Sequence, residues 1–130
     1  MQTFLPYPSF DKSAKVLDYR RLGKQRLEAY QILRTITGQS DGWKNHPIVK
    51  MWAGYPSALK AYLNACIKEW KKRGYKNTMK TYRVSKHKLP PFIGNEQFHA
   101  SHRSNLLRKD FNYYSKFNWK EADNLPYVWG

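Results

Sequence analysis

The clearest pattern in the chain lies between Pro56 and Arg73. Leu59, Tyr62, Leu63, Cys66, Ile67 and Trp70 recur three and four positions apart, and Lys68, Lys71, Lys72 and Arg73 occupy other positions. That spacing draws one apolar stripe down a helix. Pro56 suits its first turn and Gly74 its end. A second long helix is predicted from about Asp11 or Ser13 to Thr37, stopped by Gly38, with Gly23 marking a break or a close approach. On a wheel of 3.6 residues per turn, Tyr19, Leu22, Ala29, Tyr30 and Leu33 fall on its core side, and Arg20, Arg21, Lys24, Glu28 and Gln31 on the other. Arg26 falls on the core side too, where it needs a partner unless Gly23 shifts the register.

Shorter elements follow the same logic. Asn45-His46-Pro47 opens a short helix over Ile48 to Ala53, after a loop from Gln39 to Lys44. A last helix is expected from about Glu96 to Lys109, capped by Asn95. Between them, Tyr75 to Gly94 reads as a basic loop closed by Pro90-Pro91. The opening Phe4-Leu5-Pro6-Tyr7-Pro8 is held extended or turned by its two prolines. The tail from Phe111 to Gly130 is aromatic and irregular, and its end, Leu125 to Gly130, is apolar enough to dock. Strand patterns are weak throughout. The expected fold is all-α: one compact helical domain over residues 1–130, with an extended N-terminal segment and an irregular aromatic C-terminal tail.

Charge then narrows the partner. Lys and Arg number 24 against 9 Asp and Glu, a formal net charge of +15. A surface that repels itself this strongly suits a polyanion. The cations sit among 10 Tyr, 5 Trp and 6 Phe, a mixture that can grip phosphates and stack on bases. The lysines of residues 68–88 are candidates for non-specific phosphate contacts, against the plainer reading of a solvated basic face. No segment is long and apolar enough to span a bilayer, so no membrane partner is expected. Cys66 stands alone, which excludes an internal disulfide and agrees with a reducing compartment. The N-terminus lacks the basic start and apolar run of a secretion signal. The expectation is a cytoplasmic protein, beside the nucleoid or in a host cytoplasm.

The polar face of the first helix carries the candidate chemistry. Arg21, Lys24 and Glu28, spaced three and four apart, can touch. One carboxylate among three cations is either an exposed ion-pair row, worth a few tenths of a kcal/mol per pair, or a phosphate-gripping face with an acid at its centre.

Three blocks of sequence carry a resemblance. They are Leu17-Asp18 through Ile32-Leu33-Arg34 with Gly42-Trp43-Lys44-Asn45-His46-Pro47, then Leu63 through Glu69-Trp70 with Lys72-Arg73-Gly74-Tyr75, and last Phe98-His99-Ala100-Ser101-His102-Arg103 with Leu106 to Lys109 and Tyr113-Tyr114. In this order they resemble the pyrimidine-dimer DNA glycosylases of the bacteriophage endonuclease V type. The resemblance implies a compact helical enzyme, a monomer, that acts on damaged double-stranded DNA without metal or organic cofactor. It implies excision of a damaged pyrimidine and then cleavage at the abasic site, through an imine formed by the chain's terminal α-amine. An α-amine ionises at about 7.7–8, far below a lysine side chain, so it suits that task.

Carried over residue by residue, the resemblance makes Met1 the amine and Glu28 the carboxylate. Arg20, Arg21, Lys24, His46, His99, His102, Arg103 and Tyr114 become DNA contacts. Two departures stand out. Gln2 is bulky enough to hinder removal of Met1, which keeps the amine on Met1. Where the family has glutamate directly after an arginine, this chain has Arg20-Arg21; the nearest acid is Glu28, and a slip in alignment would put the position at Gln25. His102, between Phe98 and Leu106, and the tail aromatics Tyr113, Tyr114, Phe117 and Trp119 fit core packing as well as DNA contact. Two rivals remain: a non-catalytic nucleic-acid-binding protein of the same fold, and a metal-dependent nuclease using Glu96, His99 and His102.

Overall fold

The computed structural model describes every residue from Met1 to Gly130. Six α-helices follow one another with no strand between them: α1 Phe10–Val16, α2 Tyr19–Ile36, α3 Pro47–Trp52, α4 Pro56–Lys72, α5 Glu96–Lys109 and α6 Phe111–Tyr114. The all-α expectation is met. The expected first helix is two: Leu17 ends one and Asp18 begins the next. Its backbone is extended and its carboxylate accepts from the Arg21 N–H, an N-cap that starts α2.

Of the α4 stripe, Leu59, Tyr62, Leu63, Cys66 and Ile67 are all inaccessible and Trp70 is partly buried. It packs against both α1 and α2. Gly23 marks a close approach, since a Cβ there would lie 3.0 Å from the Trp70 ring. Arg26 lies over the same ring, 4.2 Å from its centroid, and donates to the Asn77 side chain at 2.7 Å. Burial pushes the Cys66 thiol up to about 12, which leaves it an inert core group.

The phase of α2 differs from the wheel. Tyr19 and Tyr30 are exposed, and Gln25 takes a core position beside Leu22, Ala29, Ile32 and Leu33. A polar residue faces inward because its amide finds three partners there, as described below. Periodicity scores polarity and is blind to such pairing.

Helix α5 is polar by composition, yet nine of its residues are buried. It runs under the N-terminal segment and the C-terminal tail, and its side chains bind their backbones. The Ser101 hydroxyl accepts from Val128 N–H and the Ser104 hydroxyl from Leu125 N–H. His102 accepts from Leu5 N–H through Nδ1 at 3.0 Å and faces the Val128 carbonyl through Nε2 at 3.2 Å. His99 has the opposite tautomer, with Nδ1 on the Leu5 carbonyl at 2.8 Å and Nε2 accepting from Gly94 N–H at 2.9 Å. The tail therefore docks, as its apolar end predicts.

These neutral imidazoles carry a pH signature. Burial holds the His102 pKa down at about 3, and burial lowers His99 as well. An unfolded histidine ionises near 6.5. Between those values the unfolded chain binds the extra proton, so stability is whole above pH 6.5 and is lost as pH falls. Urea midpoints should imply about 2 kcal/mol less stability at pH 5 than at pH 7.5 from His102 alone. Equal midpoints at the two pH values would contradict this clamp.

Candidate active site

The first five residues lie across α2 and α5, and the backbone N–H and carbonyl of Gln2, Phe4 and Leu5 all have partners. Gln2 N–H donates to Glu28 Oε2 at 2.9 Å, and the Gln2 carbonyl accepts from Gln25 Nε2 at 2.8 Å. Phe4 N–H donates to Gln25 Oε1 at 2.9 Å, and the Phe4 carbonyl accepts from the Tyr62 hydroxyl at 2.8 Å. That hydroxyl also lies 2.5 Å from Gln25 Oε1. Thr3 Oγ1 accepts from Trp52 Nε1, and the Gln2 side chain reaches Asn105. A segment bonded this densely is positioned by the fold. Two side chains of α2, one turn apart, do most of the positioning.

Above them opens a cavity of about 280 Å³, lined by Met1, Gln2, Phe4, Arg20, Arg21, Lys24, Gln25, Glu28 and Lys109. The first turns of α2 supply three of its cations, Arg20, Arg21 and Lys24. Arg21 is steadied by Asp18, whose Oδ1 lies 3.1 Å from the guanidinium. Asp18 is held in turn by the Tyr114 hydroxyl at 2.5 Å, and these hydrogen bonds and the Arg21 charge outweigh its partial burial and keep its carboxyl below the ordinary range. Lys24 stands 4.0 Å from Glu28 and is largely exposed, so it tempers that carboxylate without neutralising it. Lys109, from the end of α5, is lowered by partial burial and by Arg21, Arg108 and Lys24 nearby. The site is a cationic bowl with one carboxylate on its wall. It can hold a phosphodiester and place one negative group beside a sugar carbon.

The structure thus brings Met1, Glu28, Arg20, Arg21 and Lys24 to one place. It leaves the other expected contacts elsewhere. His99, His102 and Tyr114 are fully buried, and Arg103 is 8% exposed. Their role as DNA contacts is corrected, because none can meet a phosphate without dismantling the core. The two histidines clamp the N-terminal segment and tail, and Tyr114 sets Asp18 and through it Arg21. Arg103 ties Glu121, Glu96 and the Pro6 carbonyl together. His46 is half-buried and caps α3, accepting from Ile48 N–H. The metal reading also fails, since both nitrogens of His99 and of His102 are committed to the backbone and Glu96 to Arg103. Lys109 joins the site without a signal in the sequence. It lies 81 residues beyond Glu28, the last of the other cavity residues, and only the packing of α5 brings it there.

The model of the family described as pyrimidine dimer DNA glycosylase matches residues 1–83, which is more than half of the chain. The chain belongs to the pyrimidine dimer DNA glycosylase family. Membership implies a DNA glycosylase, with DNA as its substrate. The match takes in α1 to α4 and every cavity residue except Lys109. No curated protein and no solved structure matches the chain. No helix is long and apolar enough to cross a membrane.

Proposed function

We propose that this glycosylase excises damaged pyrimidines from double-stranded DNA and then cleaves the strand at the abasic site, with the Met1 α-amine as nucleophile. The observation that carries the reading is the Gln2 N–H held on Glu28 within the cationic cavity that Met1 lines. The neutral amine attacks C1′ of the damaged nucleotide, and the base leaves with the glycosidic electron pair. Loss of a proton from nitrogen and opening of the sugar give an imine between the Met1 nitrogen and C1′. Abstraction of a C2′ proton then expels the 3′ phosphate by elimination. Glu28 stabilises the cationic character that develops at the sugar and assists ring opening and the later proton transfers. Arg20, Arg21 and Lys24 hold the flanking phosphates while the duplex is kinked and a nucleotide flipped out.

Residues 1–130 act in this reading as one domain and as a monomer. The exposed Lys76, Lys80, Arg83, Lys86 and Lys88 add sequence-independent grip. Borohydride tests it: incubation with a duplex carrying a pyrimidine dimer or an abasic site should leave protein covalently fixed to DNA. No adduct with either substrate removes the catalytic reading. One observation favours a binder without catalysis, namely that the Glu28 partner is the Gln2 amide while the family glutamate position holds Arg21. That reading predicts salt-sensitive binding with the strand intact.

A further inference from the structure

The polar face of α2 does not end at the cavity. Arg21, Lys24, Glu28, Gln31 and Thr35 follow one another at steps of three and four, so one stripe runs from the cavity to the far end of the helix. There a second hollow of about 220 Å³ opens, lined by Gln31, Arg34, Thr35, Ser40, Gly42 and Trp43. Trp43 is 56% exposed, unusual for the largest apolar side chain. Its backbone has φ +63°, in the left-handed region that a bulky residue rarely adopts. The loop is tied to hold it so: Thr35 Oγ1 donates to the Gly42 carbonyl at 2.7 Å, and the Trp43 carbonyl accepts from His46 N–H at 2.8 Å. The indole meets His46 edge to face at 5.8 Å. Nothing in the packing of the core requires an exposed tryptophan in a strained turn.

Charge names the occupant. Arg34 and Gln31 line the hollow and are exposed, and the loop that carries Trp43 holds one exposed cation, Lys44, and one exposed acid, Asp41. A flat ring among cations, continuous with a phosphate-holding face, fits a nucleobase of the bound strand. We infer that Trp43 is a base-stacking contact, taking a base unstacked by the kink beside the lesion, with Gln31 and Arg34 at the base edge. The inference rests on the proposed function, with the duplex held by Arg20, Arg21 and Lys24 continuing along α2. From Glu28 to Thr35 the helix rises roughly 10 Å, which is about three nucleotides along a strand. Trp43 thereby acts on affinity for the distorted duplex, and its role is separate from the bond-breaking step.

The probe is a short duplex carrying a tetrahydrofuran abasic analogue, which cannot form an imine, compared with the undamaged duplex at one salt concentration. Trp43→Ala should bind the analogue about 5- to 100-fold more weakly, the range of one lost stacking contact, and the undamaged duplex nearly as well as before. Trp43→Phe should recover most of the loss. A 2-aminopurine about three nucleotides from the analogue should be quenched by the wild type and not by Trp43→Ala. Unchanged affinity, or equal losses on both duplexes, overturns the inference. If the alanine variant unfolds, Trp43→Leu against Trp43→Phe decides it, equal affinities counting against stacking. Failure of the catalytic reading shows separately, as no borohydride adduct at a natural abasic site while the Trp43 contribution to analogue binding persists.

Discussion

Glu28→Gln should lower single-turnover excision from a dimer-containing duplex by about 10²–10³-fold, the usual cost of removing one group aimed at developing charge. The change is conservative where structure is concerned. The amide oxygen of glutamine can still accept from Gln2 N–H, so the N-terminal segment stays in place. Its only other hydrogen bond or ion pair is the 4.0 Å approach of an exposed Lys24, a pair of little worth. Thermal stability should therefore shift by less than about 1 kcal/mol, and affinity for the tetrahydrofuran duplex should hold or rise as one negative charge leaves the cavity. Loss of rate without loss of folding or binding would place Glu28 in the chemistry. Activity within threefold of wild type would make it a peg for the backbone and nothing more.

The largest stability effect is expected at Gln25. Leucine there keeps the volume but strips Phe4 N–H and the Gln2 carbonyl of their partners, while the Tyr62 hydroxyl retains the Phe4 carbonyl. Each buried group left unpaired costs about 1–3 kcal/mol, so Gln25→Leu should lose about 2–5 kcal/mol. In a chain of this size the thermal midpoint should fall by roughly 10–20 °C. The same bonds hold the Gln2 backbone next to Met1, so under the proposed mechanism excision should fail even at temperatures where the variant is folded. A midpoint within about 3 °C of wild type would mean that the N-terminal segment is held by α5 and that Gln25 is incidental.

These two residues also show where sequence reasoning succeeded and where it stopped. Helix α5 runs from Glu96 to Lys109 with Asn95 as its cap, as the residues themselves predict, because capping is a local interaction. The α4 stripe was legible for the same reason, and so was Gly23 as a close approach. The core position of Gln25 was not, since its three partners come from the N-terminus and α4. The break at Asp18 carried a local signal, an acid able to cap, without the proline or glycine that draws attention to a boundary. Among the site residues, those sharing the first turns of α2 could be grouped by spacing alone. His99, His102, Arg103 and Tyr114 have side chains that suit nucleic acid, and only their burial shows that they bind the protein's own backbone and carboxylates instead.

In the proposed mechanism the Met1 α-amine, next to the Gln2 backbone that Glu28 and Gln25 hold, forms the bond to DNA. The direct test is to trap the complex with borohydride on abasic-site DNA, digest the protein, and locate the adduct by mass spectrometry. The account predicts the deoxyribose remnant on the Met1 α-nitrogen, and no adduct when that nitrogen is blocked beforehand. An adduct on a lysine of the cavity, with Lys109 the nearest alternative amine, would contradict it.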